Sequence, residues 1–207
     1  MGLMMGATCP EAREACRILT ERVAEMSLPQ HEMRVTCAVG GGDGFTLRSS
    51  RSEVRLTASR PREFIAGMGC VLSLLREHGR LPEGTWTESP RLPVRRHYMP
   101  GHFGNPYEVM WPGEMQRYLE DLALWGASGY GDWFDPNDMA DPYHPHVFCS
   151  ASMTLWRRKK DFLRRAKMLG LDTAIWVAHN VGFLDQLRPE WLGIRSRRHR
   201  VQGQVLC

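Results

Sequence analysis

The stretch Arg95–Asp135, RRHYMPGHFGNPYEVMWPGEMQRYLEDLALWGASGYGDWFD, constrains the fold of this chain more than any other. Met115, Tyr118, Leu119, Leu122 and Trp125 recur at three- and four-residue spacing, so they share one face of an amphipathic helix. Pro112 and Gly113 stand just ahead of that helix, and Gly126 is placed to end it. A short strand precedes it, and GYGDWFD reads as a second strand running into a loop. Strand, helix and returning strand make a βαβ unit, whose two strands are parallel neighbours.

In such a unit the carboxyl ends of the strands, and the loops after them, face the ligand crevice. Those places hold His102, Asn105, Tyr107, Glu108, Trp133 and Asp135. Aromatic rings beside amide, imidazole and carboxylate groups suit a sugar: the rings stack on its C–H faces and the polar groups hydrogen-bond its hydroxyls. The competing reading makes Trp133 and Phe134 strand-end core and leaves the polar groups to hold the loop. Residue by residue the two readings balance, and the cluster as a whole favours a site.

Upstream, Pro10–Met26 reads as an amphipathic helix, with Ala12, Cys16, Leu19 and Val23 on one side. Arg34–Val39 reads as a strand. The glycine run at 40–44 lacks both the GKS/GKT of a phosphate loop and a GxGxxG leading into a helix, so no nucleotide is expected there. Phe45–Arg48 and Val54–Ala58 read as a hairpin. Arg62–His78 follows as a helix whose internal Gly67 and Gly69 cost propensity and imply close packing on the sheet. Leu81–Pro93, punctuated by Pro82, Gly84, Pro90 and Pro93, reads as a linker. The expected organisation is an amino-terminal α/β domain at 1–80, a linker at 81–93 and βα units from 94 to 207.

Downstream, residues 135–147 are rich in Asp, Pro and His. The spacing of Asp138, Asp141, His144 and His146 matches no standard ligand motif, so neither a metal nor a cofactor is expected. Ser152–Leu169 reads as a helix with Leu155, Trp156, Leu163, Ala166 and Leu169 inward. Its Arg157, Arg158, Lys159, Lys160, Arg164, Arg165 and Lys167 are expected to form a solvated face. Aromatic residues are not interleaved with these basic runs as stacking on nucleic acid would require. Thr173–Ala178 is a continuous apolar run typical of a strand buried on both faces. It ends in His179 and Asn180, two further site candidates. Phe183–Trp191 reads as a short helix or ordered loop, and Val205–Cys207 as the opening of another element.

With 207 residues and a net charge of +4, the chain can bury a core and shows no strong electrostatic bias toward nucleic acid or an acidic membrane. Its six cysteines include no CxxC pair and read as reduced, mostly buried thiols. The start, MGLMMGATCPEAREAC, lacks a basic segment leading into a long apolar core, so no signal peptide is expected. No apolar run is long enough to span a bilayer. These features make the cytoplasm the expected location.

A small α/β domain, a proline-rich link and a strand opening with Arg95-Arg96 resemble the layout of certain glycoside hydrolases, the alpha-glucuronidases and beta-N-acetylhexosaminidases. DGFTLRSSRSEVRLTASRPREFIAGMGCVLSLLREHG resembles their hairpin and helix with a leucine pair, here Leu74-Leu75, in the small second domain of hexosaminidases. HFGNPYE, YLEDLALWG and WFD resemble the first units of their (β/α)8 barrel. The resemblance implies a carbohydrate substrate, a uronide or an N-acetylhexosaminide. It also implies an arginine near the end of the first barrel strand, Arg95 or Arg96, holding a sugar hydroxyl or a uronate carboxylate.

A full barrel needs roughly 250 residues, and the part after Pro93 supplies about three strands of the eight. The chain is therefore expected to be the amino-terminal part of a longer enzyme or a truncated gene product. It would bind sugar but lack an assignable acid/base pair, since no two of Glu108, Asp132 and Asp135 can be paired from sequence. The alternative is a carbohydrate-binding or regulatory module without catalysis, self-associating through the open edges of its unfinished sheet.

Overall fold

The computed structural model describes residues 2–5, 9–27, 32–99, 110–134, 150–177, 181–183, 200–201 and 204–206. The first sheet has five strands: β1 (Gly2–Met5), β2 (Glu32–Val39), β3 (Phe45–Ser49), β4 (Glu53–Ala58) and β5 (Gly84–Glu88). Their spatial order is β1-β2-β4-β3-β5. β1, β2 and β4 are parallel, and β3 runs antiparallel to both β4 and β5. Helices α1 (Arg13–Ala24, entered through a 3-10 turn at Pro10–Ala12) and α2 (Pro61–His78) belong to this layer.

Strand alternation selects the core. Met33, Val35, Cys37, Phe45, Leu47, Val54, Leu56 and Ala58 are buried, whereas Arg34, Arg48 and Arg55 between them are exposed. The second sheet has the order β6-β7-β8, from Arg96–Met99, Gly129–Phe134 and Asp172–Val177. All three strands are parallel. Helix α3 (Pro112–Leu124) lies between β6 and β7 in the chain, and α4 (Ser150–Met168) between β7 and β8. Three short strands, β9 (Val181–Phe183), β10 (Arg200–Val201) and β11 (Gln204–Leu206), make a separate antiparallel sheet in the order β10-β11-β9.

The βαβ expectation holds in register: Met99 pairs with Asp132, and Asp132 with Ile175. Gly79, Gly126 and Gly170 follow α2, α3 and α4 with φ of 67°, 79° and 75°, the left-handed stop that glycine supplies without strain. The stretch read as a linker contains a strand. Residues 84–88 form β5, an edge strand on β3, because Thr85, Trp86 and Thr87 favour extended backbone and the flanking prolines confine the strand rather than abolish it. β1 was not legible as a strand in the sequence.

Three helix readings change. Trp125 lies just past the end of α3 and is 87% exposed, so the buried face is Met115, Leu119 and Ala123. Gly67 does face the sheet, where an added Cβ would lie 2.5 Å from Leu56 Cδ1, but Gly69 faces the Leu124 carbonyl of α3 instead. The basic side of α4 is not wholly solvated. Lys159 is buried, and Arg158 and Arg165 are partly buried.

Arg165 belongs to an ion network that joins three helices. Glu120 of α3 accepts from Arg17 of α1 at 2.6 Å, Arg165 of α4 at 2.6 Å and Arg22 of α1 at 3.2 Å. Glu14 of α1 accepts from Arg17 at 2.7 Å. Burial alone would raise the Glu14 carboxyl, but Arg17 and Arg165 outweigh it and hold the group below the ordinary glutamate value. Glu63 is likewise lowered against its burial, by Ser59 and by backbone N–H groups that include Gly44.

A carboxyl depressed in the folded state contributes stability that is complete above its unfolded pKa and is lost as pH falls through the folded value. Stability should therefore be level above about pH 5 and decline below about pH 4, where free glutamate begins to protonate. Urea melts at pH 7, 5 and 3 check this. Equal midpoints at pH 5 and 3 would remove the network from the account.

Candidate functional site

Because β6, β7 and β8 are parallel, their carboxyl ends (Met99, Phe134 and Val177) fall side by side at one end of the sheet. His102, Asn105, Tyr107, Glu108, Asp135, His179 and Asn180 follow those ends in the chain and lie outside the described residues. Trp133 occupies β7 with its backbone paired to Trp176 of β8.

Arg95 and Arg96 are placed at the other end. Arg96 opens β6, and about 10 Å of strand separates it from Met99 at 3.3 Å per residue. The Arg95 side chain donates from Nε to the Gly126 carbonyl at 2.8 Å and from Nη1 to the Leu92 carbonyl. It thereby satisfies a carbonyl left without an intrahelical partner beyond α3. The Arg95 N–H also donates to Ser128 Oγ at 2.7 Å, and Arg96 Nη2 lies 3.8 Å from Asp172 Oδ2 at the start of β8. Arg95 and Arg96, expected to hold sugar, are thus placed at the amino end of β6. They fasten the amino ends of the strands.

A cleft of about 120 Å³ lies at that same amino end, between Asp43, Arg60, Glu63, Arg95 and Gly126. Its charges are largely matched: Arg60 Nη2 meets Asp43 Oδ1 at 2.8 Å, and Ser59 Oγ donates to Glu63 at 2.7 Å. It lies on the side of the sheet away from the strand ends that face a crevice in this architecture.

The two faces of the second sheet differ in chemistry. His97 and Met99 of β6, and Tyr130 and Asp132 of β7, turn toward the helices. His97 Nε2 lies 2.9 Å from Tyr118 Oη on α3, and Met99 and Tyr130 are buried. Lys159 Nζ of α4 donates to Asp132 Oδ1 at 2.8 Å, and Tyr130 Oη donates to Asp132 Oδ2 at 3.1 Å. Burial, reinforced by the Asp132 charge, pushes the Tyr130 phenol up, so it stays protonated as a donor. Asp132 is 3% exposed with both oxygens engaged, so this carboxylate is held as half of a buried ion pair. Glu114, at the start of α3, is also engaged, accepting from the Trp111 N–H at 2.8 Å.

The opposite face carries Tyr98, which the sequence reading passed over. It is 46% exposed, and buried Gly131 lies beside it, where an added Cβ would meet its ring at 3.6 Å. Partial burial, and then the Asp132 charge, push its hydroxyl up and keep it a donor at neutral pH. The available signal was parity: one residue before the carboxyl end of β6, Tyr98 alternates with His97 and Met99. α4 also reaches the segment that enters α3, because Arg158 Nη2 donates to the Met110 carbonyl while its guanidinium sits 5.9 Å from the Phe162 ring centroid.

Among the described residues no group of three or more His, Cys, Asp or Glu is arranged to hold a metal ion. Among them too, no helix is long and apolar enough to cross a membrane.

No protein-family model matches the chain, and no curated protein matches it in sequence. Solved structures do match in fold. The GH20 beta-N-acetylhexosaminidase of Streptomyces coelicolor A3(2) superposes with a TM-score of 0.59 at 15% identity, over 84% of this chain and 41% of the hexosaminidase. A GH138 enzyme targeting pectin rhamnogalacturonan II gives 0.61 at 11% identity, over 85% of this chain and 24% of the enzyme. The GH20 exo beta-N-acetylglucosaminidase of Vibrio harveyi, solved in complex with N-acetylglucosamine, gives 0.57 at 12% identity, over 84% and 32%. The chain thus shares a glycoside hydrolase-like α/β fold and spans less than half the length of each of these neighbours.

Proposed function

We propose that the chain supplies the small α/β domain and the first βα units of a (β/α)8 glycoside hydrolase, and that the carboxyl ends of β6, β7 and β8 carry part of its sugar subsite. The observation that carries this reading is the run of three adjacent parallel strands, whose carboxyl ends lead into HFGNPYE, WFD and AHN. The fold likeness to glycoside hydrolases supports it. On this reading Tyr98 and Trp133 offer stacking faces. Asn105, His179 and Asn180 position hydroxyls, and His102, Tyr107, Glu108 and Asp135 complete the polar rim.

The uronide alternative relied on Arg95 or Arg96 to meet a carboxylate, and both are at the amino end. We therefore carry the N-acetylhexosaminide reading. Glycoside hydrolysis usually uses two carboxyl groups flanking the bond, although the acetamido group of an N-acetylhexosaminide can take the nucleophile's part. Asp132 is committed to Lys159, and this favours a role in holding sugar over one in cleaving it. The same observation favours the second reading, a carbohydrate-binding module without catalysis. In that case the outer edges of β6 and β8, unpaired among the described residues, invite a second copy.

The test is a titration of the 207-residue chain with N-acetylglucosamine and with glucuronic acid, beside an assay on an aryl N-acetyl-β-glucosaminide. Saturable binding of N-acetylglucosamine is expected, on the order of 1 mM, and weakened about tenfold by Tyr98→Ala, equivalent to about 1.4 kcal/mol. No aryl alcohol should be released. Saturation by neither sugar would overturn the subsite, and turnover would overturn the division of labour.

A further inference from the structure

The first layer holds a pair of thiols that the proposed sugar site does not use. Cys16 lies in the first turn of α1 and Cys37 in β2, and their Sγ atoms are 3.8 Å apart across the interface of helix and sheet. Each side chain is 7% exposed within the apolar core, and both are free thiols. We propose that Cys16 and Cys37 are a latent disulfide, closed by a hydroperoxide and reopened by a thiol reductant.

Geometry supports closure. The sulfurs already face one another, and a bond length of about 2.05 Å requires an approach of less than 2 Å. One residue lies on a helix and the other on the strand beneath it, so side-chain rotation and a small slide of α1 can supply that approach. Either sulfur can donate to the other across this contact. Loss of a second proton is opposed by the first thiolate and by burial, so one sulfur attacks while its neighbour stays a thiol. Either sulfur can be the one that attacks, here taken as Cys16. Limited access restricts the oxidant to one as small as hydrogen peroxide.

The steps balance. The Cys16 thiolate attacks one peroxide oxygen, the O–O bond breaks, and hydroxide leaves to give a sulfenic acid. The Cys37 sulfur then attacks the Cys16 sulfur, the S–O bond breaks, and water leaves with the Cys37 proton. In sum, two thiols and one hydrogen peroxide give one disulfide and two waters. The new bond ties α1 to β2. Because α1 also holds α3 through Arg17 and Arg22, and α4 through Glu14, which meets Arg165, oxidation stiffens the support beneath the second sheet.

Half-buried Cys9, which packs against the same core, is the competing partner. The test exposes the full folded chain to hydrogen peroxide, blocks remaining thiols under denaturing conditions, and maps peptides by mass without reduction. Expected are a Cys16–Cys37 linked peptide two hydrogens lighter than its parts, and a Tm raised by about 5 °C that returns to its starting value on reduction. Both should persist in Cys9→Ser, and the gain in Tm should vanish in Cys37→Ser. Alkylated Cys16 and Cys37 after treatment, their oxidation to sulfinic acid, or a link that disappears in Cys9→Ser would each overturn the proposal. The wild-type peptide map decides even where the serine variant at position 37 fails to fold.

Discussion

Gly69→Ala should destabilise the chain by about 3 kcal/mol, although the same change in an isolated helix would be favourable by about 1 kcal/mol. Gly69 is buried inside α2, where α2 meets the end of α3. A Cβ there would lie 2.0 Å from the Leu124 carbonyl oxygen and 2.9 Å from its carbon. Those are backbone atoms of a helix already fixed at its far side by Glu120 and at its end by Arg95, so they cannot turn away as a side chain would. The helices must separate, and separation opens the core that Met115, Leu119 and Ala123 share with α2. For a chain of this size the loss should appear as a fall in Tm of roughly 6–12 °C. Gly67→Ala is the internal control. Its Cβ would meet the Leu56 side chain, whose methyl groups can rotate, and the propensity gain offsets part of the cost. Equal Tm values for the two variants would show that α2 and α3 are not held at this contact.

These two glycines show where local sequence stops being informative. Helix interiors, glycine stops and strand alternation follow from residues a few places apart, so α2, the stop at Gly79 and the β3–β4 hairpin could be read directly. What Gly69 packs against is set by Leu124, more than fifty residues away, and it was assigned to the wrong element. The same limit governed charge. The basic run on α4 has the composition of a solvated face, and only the fold places Arg165 beside Glu120 and Lys159 beside Asp132. Trp125 failed differently: the 3.6-residue period continues through it, but the helix ends one residue earlier and turns the ring outward. For the site, the parallel order of strands was legible as a βαβ pattern, and it selects which strand ends adjoin. The ends of β6 were harder to assign. Arg95 and Arg96 were singled out through the family resemblance as near the end of the first barrel strand, whereas β6 begins at Arg96, so both lie at its amino end. Tyr98 was overlooked because a single aromatic residue in a short strand looks like core until its exposure is known.

Lys159→Met should be the most damaging substitution in the second layer, at about 3–5 kcal/mol, because it removes one half of a buried ion pair and leaves the other in place. Asp132 keeps the Tyr130 hydroxyl at 3.1 Å but loses the ammonium at 2.8 Å, and it is 3% exposed, so water cannot easily replace the lost partner. Methionine fills nearly the same volume as the lysine stem, so the cost is electrostatic rather than a cavity. The double variant Lys159→Met with Asp132→Asn separates those two causes. A neutral amide still accepts from Tyr130 and carries no charge to desolvate, so the double variant should recover more than half of the loss, a coupling of about 2 kcal/mol in the cycle. The consequence reaches the strand ends. Asp132 is followed in β7 by Trp133 and Phe134, and Lys159 is flanked on α4 by Arg158, which holds the Met110 carbonyl ahead of α3. One turn of α4 therefore sets the end of β7 and the entry to α3 in a single relation. Lys159→Met should weaken N-acetylglucosamine binding even under conditions where the chain remains folded, and the double variant should restore it along with stability. If stability returns and binding does not, Lys159 acts on the sugar subsite by a route other than holding β7. If Lys159→Met costs less than about 1 kcal/mol, the pair is solvated and the rigid strand end is wrong.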